Sequence, residues 1–322
     1  MFAVSAMRFD EANPLAGLEC GERDAPEAPA GWTTVGVRAA ALNQHDLWSL
    51  RGVGLSTEEL PRVLGCDASG IDADGNEVVV HSVICGEDWL GDETLDPRRS
   101  LLSERYDGTF AEQVAVPRRN LLAKPATLSF EEAACLPTAW LTAYRMLFAN
   151  SGVRPGGTVL VQGAGGGVAT ALIALGRAAG LRVWVTSRDA GKRERALDLG
   201  AHEAFESGAR LPARVDAVLE TVGEATWGHS LRCLRPGGRI VVAGSTSGPN
   251  PSAELQRVFF QQLSVIGSTM GSRDELRGLL SFLDVSGVRP TIDRVLPLRD
   301  ARDGFAALAG GDVFGKVVFT LD

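Results

Sequence analysis

Cysteine is scarce and scattered in this chain. Cys20, Cys66, Cys85, Cys135 and Cys233 form an odd set with no Cys-x-x-Cys spacing, which indicates neither a disulfide framework nor a zinc ribbon. An excess of positive charge is missing too. The formal net charge is −8, and outside one short segment described below there is no basic stripe, which argues against nucleic acid as a partner. No apolar run is long enough to span a bilayer, and the stretch from Met1 to Pro14 lacks the basic start and apolar core of a secretory signal. A cytoplasmic protein with no membrane partner is therefore expected. Internal repeats and low-complexity segments are likewise absent. What remains is ordinary globular composition, with 45% hydrophobic and 22% charged residues in 322, enough for two domains with cores of their own.

The informative stretch runs from Thr158 to Arg195. Thr158 to Gln162 is a short apolar run that ends in glycines, and Val168 to Ala179 carries small and apolar residues at helical spacing. Gly163, Ala164, Gly165, Gly166 and Gly167 form the turn between them. Backbone N–H groups at such a helix start face an anion, and the missing side chains let a pyrophosphate approach. Gly163-x-Gly165 is followed by Val168 where a third glycine would stand, so the better frame is Ala164-x-Gly166-x-x-Ala169. A second strand is predicted from Arg182 to Thr186. Strand, turn, helix and strand together indicate a dinucleotide site.

An acidic residue at the end of that second strand would accept hydrogen bonds from a ribose 2′-OH and select NADH. This chain has Ser187 there, followed by Arg188, Lys192 and Arg193, which can surround a 2′-phosphate. NADPH is the expected cofactor. Asp189 stays open as a displaced ribose ligand, with the basic residues then a solvated helix face.

Before about residue 122 the sequence consists of short β-like runs, at Thr33 to Leu42, Glu77 to Ile84 and Phe110 to Val116. Leu128 to Ala149 reads as helical, with Ser129 ahead of Glu131 and Glu132 at its start. From Thr158 strands and helices alternate, which makes a parallel sheet covered on both faces. Asp88 to Glu104 reads as a polar surface loop, and Arg294 to Asp322 returns to short strands that rejoin the first domain. The expected division is residues 1–122, completed by 290–322, and residues 123–289.

In this order the segments AAALNQHDLWSLRG (39–52), LGCDASG (64–70), DGTFAEQVAVP (107–117), LSFEEAACLPTAWLTAY (128–144), LETVG (219–223), LRPGGRIVVAGSTSG (234–248) and FGKVVF (314–319) resemble the medium-chain dehydrogenase/reductase superfamily. The resemblance is to its zinc-free, quinone-oxidoreductase-like branch, which includes the zeta-crystallins. It implies an α/β protein: a GroES-like β-barrel domain, a Rossmann doubly wound parallel sheet, an active-site cleft between them, and a homodimer formed near Leu263 to Met270. Gly223, Gly244, Ser245 and Thr246 are then expected at the nicotinamide half of the cofactor, with Gly267 and Ser268 in the same part. The resemblance also puts Thr142 over the nicotinamide and lets Lys316 reach the cofactor.

The departures decide the expected chemistry. The positions that hold catalytic zinc in the superfamily's alcohol dehydrogenases carry Asn43, Cys66-Asp67 and Thr138 here, and a catalytic zinc needs three protein ligands. His45, Cys66 and Asp67 are an alternative ligand set. The four-cysteine structural lobe is also missing. Without a metal, alcohol oxidation lacks its usual electrophile, whereas hydride addition to a quinone or an α,β-unsaturated carbonyl can rely on hydrogen-bond donors. The expectation is an NADPH-dependent, metal-free reductase of such substrates. Its candidate catalytic residues are Asn43, His45 and Thr138, with Trp48 as a pocket wall and Asp46 as a loop anchor. A zinc alcohol dehydrogenase, or an NADPH-binding protein with little turnover, are the alternatives.

Overall fold

The computed structural model describes residues 1–321 and separates into two compact units. The first comprises Met1–Leu141, Met270–Val285 and the chain from Ile292 onward; the second comprises Thr142–Thr269 and Ser286–Thr291.

The first unit is mostly antiparallel. Its larger sheet runs in the order Leu121–Ala123, Glu77–Val80, Asp67–Asp72, Trp32–Ala41, Lys316–Thr320, Ile292–Pro297, with Gln113–Pro117 also paired to Trp32–Ala41. The expected return of the C-terminal strands to this sheet is seen in the register Val318 to Ala41 and Thr320 to Ala39. Phe110 meets Phe305 and Phe319 edge-on in the core, with ring centroids 6.0 and 5.2 Å apart. A helix the sequence reading did not anticipate, Ala301–Gly310, delivers Phe305, and the lack of a side chain at Gly304 lets Phe319 close over it.

The second unit has a six-stranded parallel sheet in the order Glu203–Phe205, Arg182–Thr186, Thr158–Gln162, Val215–Glu220, Leu234–Val242, Ser264–Gly267. This is the doubly wound arrangement, in which the order reverses beside the first strand. Thr158–Gln162 is buried along its whole length, as a β-branched run covered on both faces should be. Helix Gly167–Ala178 buries every residue from Ala169 to Gly176. The edge strand Glu203–Phe205 was not foreseen, because three residues carry too little periodicity to see.

The division between units departs from the expected one in two places. Helix Phe130–Ala134, capped by Ser129 and Glu132, belongs to the first unit, where the Ser69 hydroxyl donates to the Phe130 carbonyl at 2.5 Å. Met270–Val285 also joins the first unit. His81 bonds the Gly271 carbonyl at 2.9 Å, and the Arg273 guanidinium pairs with the buried Glu93 carboxylate. The helical stretch expected over Leu128 to Ala149 is present but broken by wide π turns at Leu136–Trp140 and Arg145–Asn150. Pro137 lies in the first of these; its missing N–H and its ring disfavour a regular helical ladder.

Candidate active site

In the first unit, Asn43 follows strand Trp32–Ala41 by two residues and caps helix Gln44–Leu50. Its backbone N–H donates to Asp46 Oδ2 at 2.8 Å, while Gly65 N–H donates to Asp46 Oδ1 at 3.0 Å. Asp46 thereby anchors the turn at Gly65 through backbone donors. Burial pushes its carboxyl up to about 6, with His45 and the Asn43 N–H opposing.

The Asn43 side chain is fully engaged. Its Nδ2 donates to Asp67 Oδ2 at 2.8 Å and to the Ala41 carbonyl at 3.1 Å, and its Oδ1 accepts from Lys316 Nζ at 2.5 Å. Lys316 also donates to the Leu42 carbonyl at 2.8 Å and to Asp67 Oδ2 at 3.2 Å. Lys316 and Asp67 are 2% and 0% exposed. Two expectations change here. Lys316 has its three ammonium hydrogens committed to Leu42, Asn43 and Asp67 inside this unit, so in this arrangement it has none left to donate to a cofactor. Asn43 has both amide hydrogens on protein acceptors, so it cannot donate to a reacting group without breaking this arrangement. His45 Nε2 and Thr138 Oγ1 differ: each is buried with no hydrogen-bond partner among the described residues. Trp48 is half-buried with Arg51 stacked 5.1 Å over its ring.

In the second unit, Gly163 has φ of +83°, which brings the chain out of its strand, and Gly166 precedes the first turn of helix Gly167–Ala178. Ala164 and Gly165 are buried, and Val168 is half-buried in that first turn. A Cβ on Gly165 would come within 2.7 Å of the Lys192 side chain, so Lys192 lies along the glycine loop. At the end of the second strand, Ser187 is buried and Arg188 is exposed. The Arg193 guanidinium is held by the Ser187 carbonyl at 2.7 Å. Asp189 caps helix Ala190–Asp198, its carboxylate accepting from Lys192 N–H at 2.8 Å, and is thus already engaged as a cap.

The loops after Val215–Glu220 and Leu234–Val242 are laced together. Ser247 N–H and hydroxyl both donate to the Val222 carbonyl at 2.7 Å, and Glu224 N–H donates to the Gly248 carbonyl at 3.1 Å. Gly223 has φ of +93°, and a Cβ there would lie 2.6 Å from the Gly248 carbonyl oxygen. Gly244 packs on the Thr221 backbone, so Gly223, Gly244, Ser245 and Thr246 converge at one end of the sheet. Gly267 ends the last strand, and Ser268, bonded to Val242 and Asn150, follows it. Thr142 is buried in the short helix Leu141–Tyr144, the first residue of this unit.

One group escaped the sequence reading. Thr186 Oγ1 donates to Gln162 Oε1 at 2.5 Å, Gln162 Nε2 to Ser230 Oγ at 2.9 Å, and Ser230 Oγ to Glu220 Oε2 at 2.6 Å. His229 Nδ1 lies 3.0 Å from Gln162 Nε2, and its Nε2 is 2.8 Å from the Ala209 carbonyl. The available signal was a polar residue closing a largely apolar strand, at Gln162 and again at Glu220.

Family models agree with this geometry. Residues 29–126 match the alcohol dehydrogenase GroES-like domain, and residues 167–285 match the zinc-binding dehydrogenase domain. A zinc-type alcohol dehydrogenase-like protein of Schizosaccharomyces pombe is 30% identical, the match covering 98% of this chain and 100% of that one. The chain belongs to the medium-chain dehydrogenase/reductase superfamily. It is an oxidoreductase of that type, whose fold binds nicotinamide cofactors. An acryloyl-coenzyme A reductase of Metallosphaera sedula is 29% identical over 94% of this chain and 96% of its own length. A solved structure described as an NAD-dependent alcohol dehydrogenase superimposes with a TM-score of 0.92 at 35% identity, covering 100% of both chains.

The superfamily's catalytic zinc does not fit the residues present. Asn43 Oδ1 faces an ammonium, one Asp67 oxygen is paired with that ammonium, and the Cys66 thiol donates to the Leu102 carbonyl at 3.2 Å. Burial raises the Cys66 thiol well above its usual range, which opposes the thiolate a metal needs. No group of three or more His, Cys, Asp or Glu side chains with metal-holding geometry occurs among the described residues.

Proposed function

We propose that this chain is a cytoplasmic, NADPH-dependent reductase of α,β-unsaturated carbonyl compounds or quinones that works without metal. The observation carrying the proposal is the Lys316 ammonium bound to Asn43 Oδ1 and Asp67, a built-in cation at the positions matching the zinc ligands of the superfamily's alcohol dehydrogenases. With no Lewis acid, carbonyl reduction and alcohol oxidation lose their electrophile, and conjugate reduction is the less demanding reaction. The acryloyl-coenzyme A reductase relative points the same way.

A bound nicotinamide would supply the hydride for the β-carbon of an enone. This chain's own task is then to hold the carbonyl oxygen as the enolate forms and to deliver a proton to the α-carbon. His45 Nε2 and Thr138 Oγ1 are suited to this, since both are polar atoms without a protein partner. Asn43 instead keeps Lys316 and Asp67 in place. NADPH is favoured by Ser187 and the exposed Arg188 where an acid would select NADH.

We further infer a homodimer across strand Ser264–Gly267, which is paired on one side only. Leu255, Phe259, Phe260 and Val265 are 71%, 67%, 74% and 50% exposed beside it, an apolar face suited to a second copy.

The test is a substrate panel with metal-free protein. Short enones and 1,4-quinones should be reduced with NADPH, and primary alcohols should not be oxidised with NADP⁺. The 35% identical alcohol dehydrogenase favours a second reading, NAD-dependent alcohol oxidation. Robust alcohol turnover restored by zinc would establish that reading and refute the first.

A further inference from the structure

Glu220 closes strand Val215–Glu220, is 0% exposed, and is surrounded by neutral donors. Oε1 accepts from Val222 N–H at 2.8 Å and Gly223 N–H at 3.1 Å; Thr226 Oγ1 lies 2.9 Å from both oxygens; Ser230 Oγ donates to Oε2 at 2.6 Å. The chain of donors from Thr186 through Gln162 orients Ser230 toward the carboxylate. Two backbone N–H groups can only donate, and with the two hydroxyls turned the same way they form a surrounding that suits an anion. Among the described residues no lysine, arginine or histidine pairs with it. The contrast with Asp67, which has an ammonium beside it, is direct.

The sheet order says which end of a dinucleotide would lie near this charge. The pyrophosphate belongs at the start of helix Gly167–Ala178, and the adenosine ribose at the end of strand Arg182–Thr186. The nicotinamide must then run the other way, over the ends of Val215–Glu220 and Leu234–Val242. That is where Gly223 and Ser245 meet, on the turn whose N–H groups Glu220 holds.

We propose that Glu220 is a positioning residue that also acts as a fixed anion beneath the nicotinamide turn, favouring the oxidised, cationic ring over the neutral reduced one. Loss of hydride converts the neutral dihydropyridine of NADPH to the pyridinium of NADP⁺, a gain of one positive charge at the ring. A buried carboxylate without a counter-ion stabilises that gain and so assists hydride departure. The 2′-phosphate is common to both redox states, so their relative affinity isolates the ring's charge.

This inference rests on reading the second unit as the NADPH site. Its test is calorimetric titration of NADP⁺ and NADPH into wild type, Glu220→Gln and Glu220→Asp. Gln preserves the volume, and the Thr226 and Ser230 hydroxyls can turn to accept from its amide. The ratio of the NADP⁺ to the NADPH dissociation constant should rise about tenfold in Glu220→Gln, the scale of one unit charge acting over several ångströms of protein interior. Glu220→Asp, which keeps the charge, should restore the wild-type ratio. Should the Gln variant fail to fold, Thr226→Lys leaves Glu220 in place, pairs it with an ammonium, and should move the ratio the same way. If both constants change in proportion, Glu220 is structural alone and the inference is overturned while the cofactor reading stands. If wild type binds neither nucleotide, the cofactor reading falls and this inference with it.

Discussion

The buried carboxylates Asp67, in the first unit, and Glu220, in the second, are stabilised in opposite ways. Asp67 lies against the Lys316 ammonium and the Asn43 amide, so its charge is cancelled on the spot. Glu220 is held by hydroxyls and backbone N–H groups, with no cation paired to it among the described residues. An ion pair projects little field and acts as a clamp, here joining the ends of strands that are far apart in sequence. A carboxylate held by dipoles is costlier to bury but retains a field that a ligand can feel.

The comparison breaks most visibly at Lys316. Lys316→Met should leave Asp67 buried and unpaired, destabilising the protein by about 3–5 kcal/mol in urea unfolding. Adding Asp67→Asn should recover much of that loss, since breaking one partner costs more than replacing both. A loss under about 1 kcal/mol for the single variant would mean that the cluster is not a clamp.

Asp46 sharpens the comparison, because it is another buried carboxylate, close to His45, Asp67 and Lys316 and bonded by two backbone N–H groups. Its folded value of about 6 lies above the ordinary 3.8. Between these values the folded state keeps a proton that the unfolded chain has released, so stability falls as pH rises through this window and levels off above it. The Asp46 contribution should amount to roughly 2 kcal/mol between about pH 4 and 6. Asp46→Asn should remove this dependence while lowering stability through the loss of one acceptor. A pH dependence identical in wild type and variant would refute the assignment.

The smallest expected effect lies at the exposed end of the second unit. Arg188→Ala should weaken NADPH by about tenfold and leave NADH nearly unchanged, as expected for one charge-assisted contact to a phosphate. Equal losses for both cofactors would return Arg188 to the role of a surface residue.

Much of this molecule could be read in the chain. The apolar run at 158–162, the glycines after it and the alternation beyond it specify a doubly wound sheet, because period and turn chemistry act over a few neighbouring residues. The positive φ values at Gly163 and Gly223 belong to the same local class. The substitution of Asn43 for a thiolate ligand was also plain in the chain.

What the sequence could not determine was which polar groups would already be satisfied by the fold. Asn43 looks like a free amide until Lys316, 273 positions away, is brought onto its oxygen. Lys316 looks like a surface lysine, and Glu220 and Gln162 look like ordinary strand ends, until Thr226, Ser230 and Thr186 close around the latter pair. The unit boundary shifted for the same reason: Met270–Val285 follows the contacts of Arg273 and Gly271, not its place in the chain. Local pattern sets secondary structure because its interactions span one turn or one strand. The engagement of a buried polar atom depends on partners on other elements, from 6 positions away at Glu220 to 273 at Asn43, and only the tertiary structure selects them.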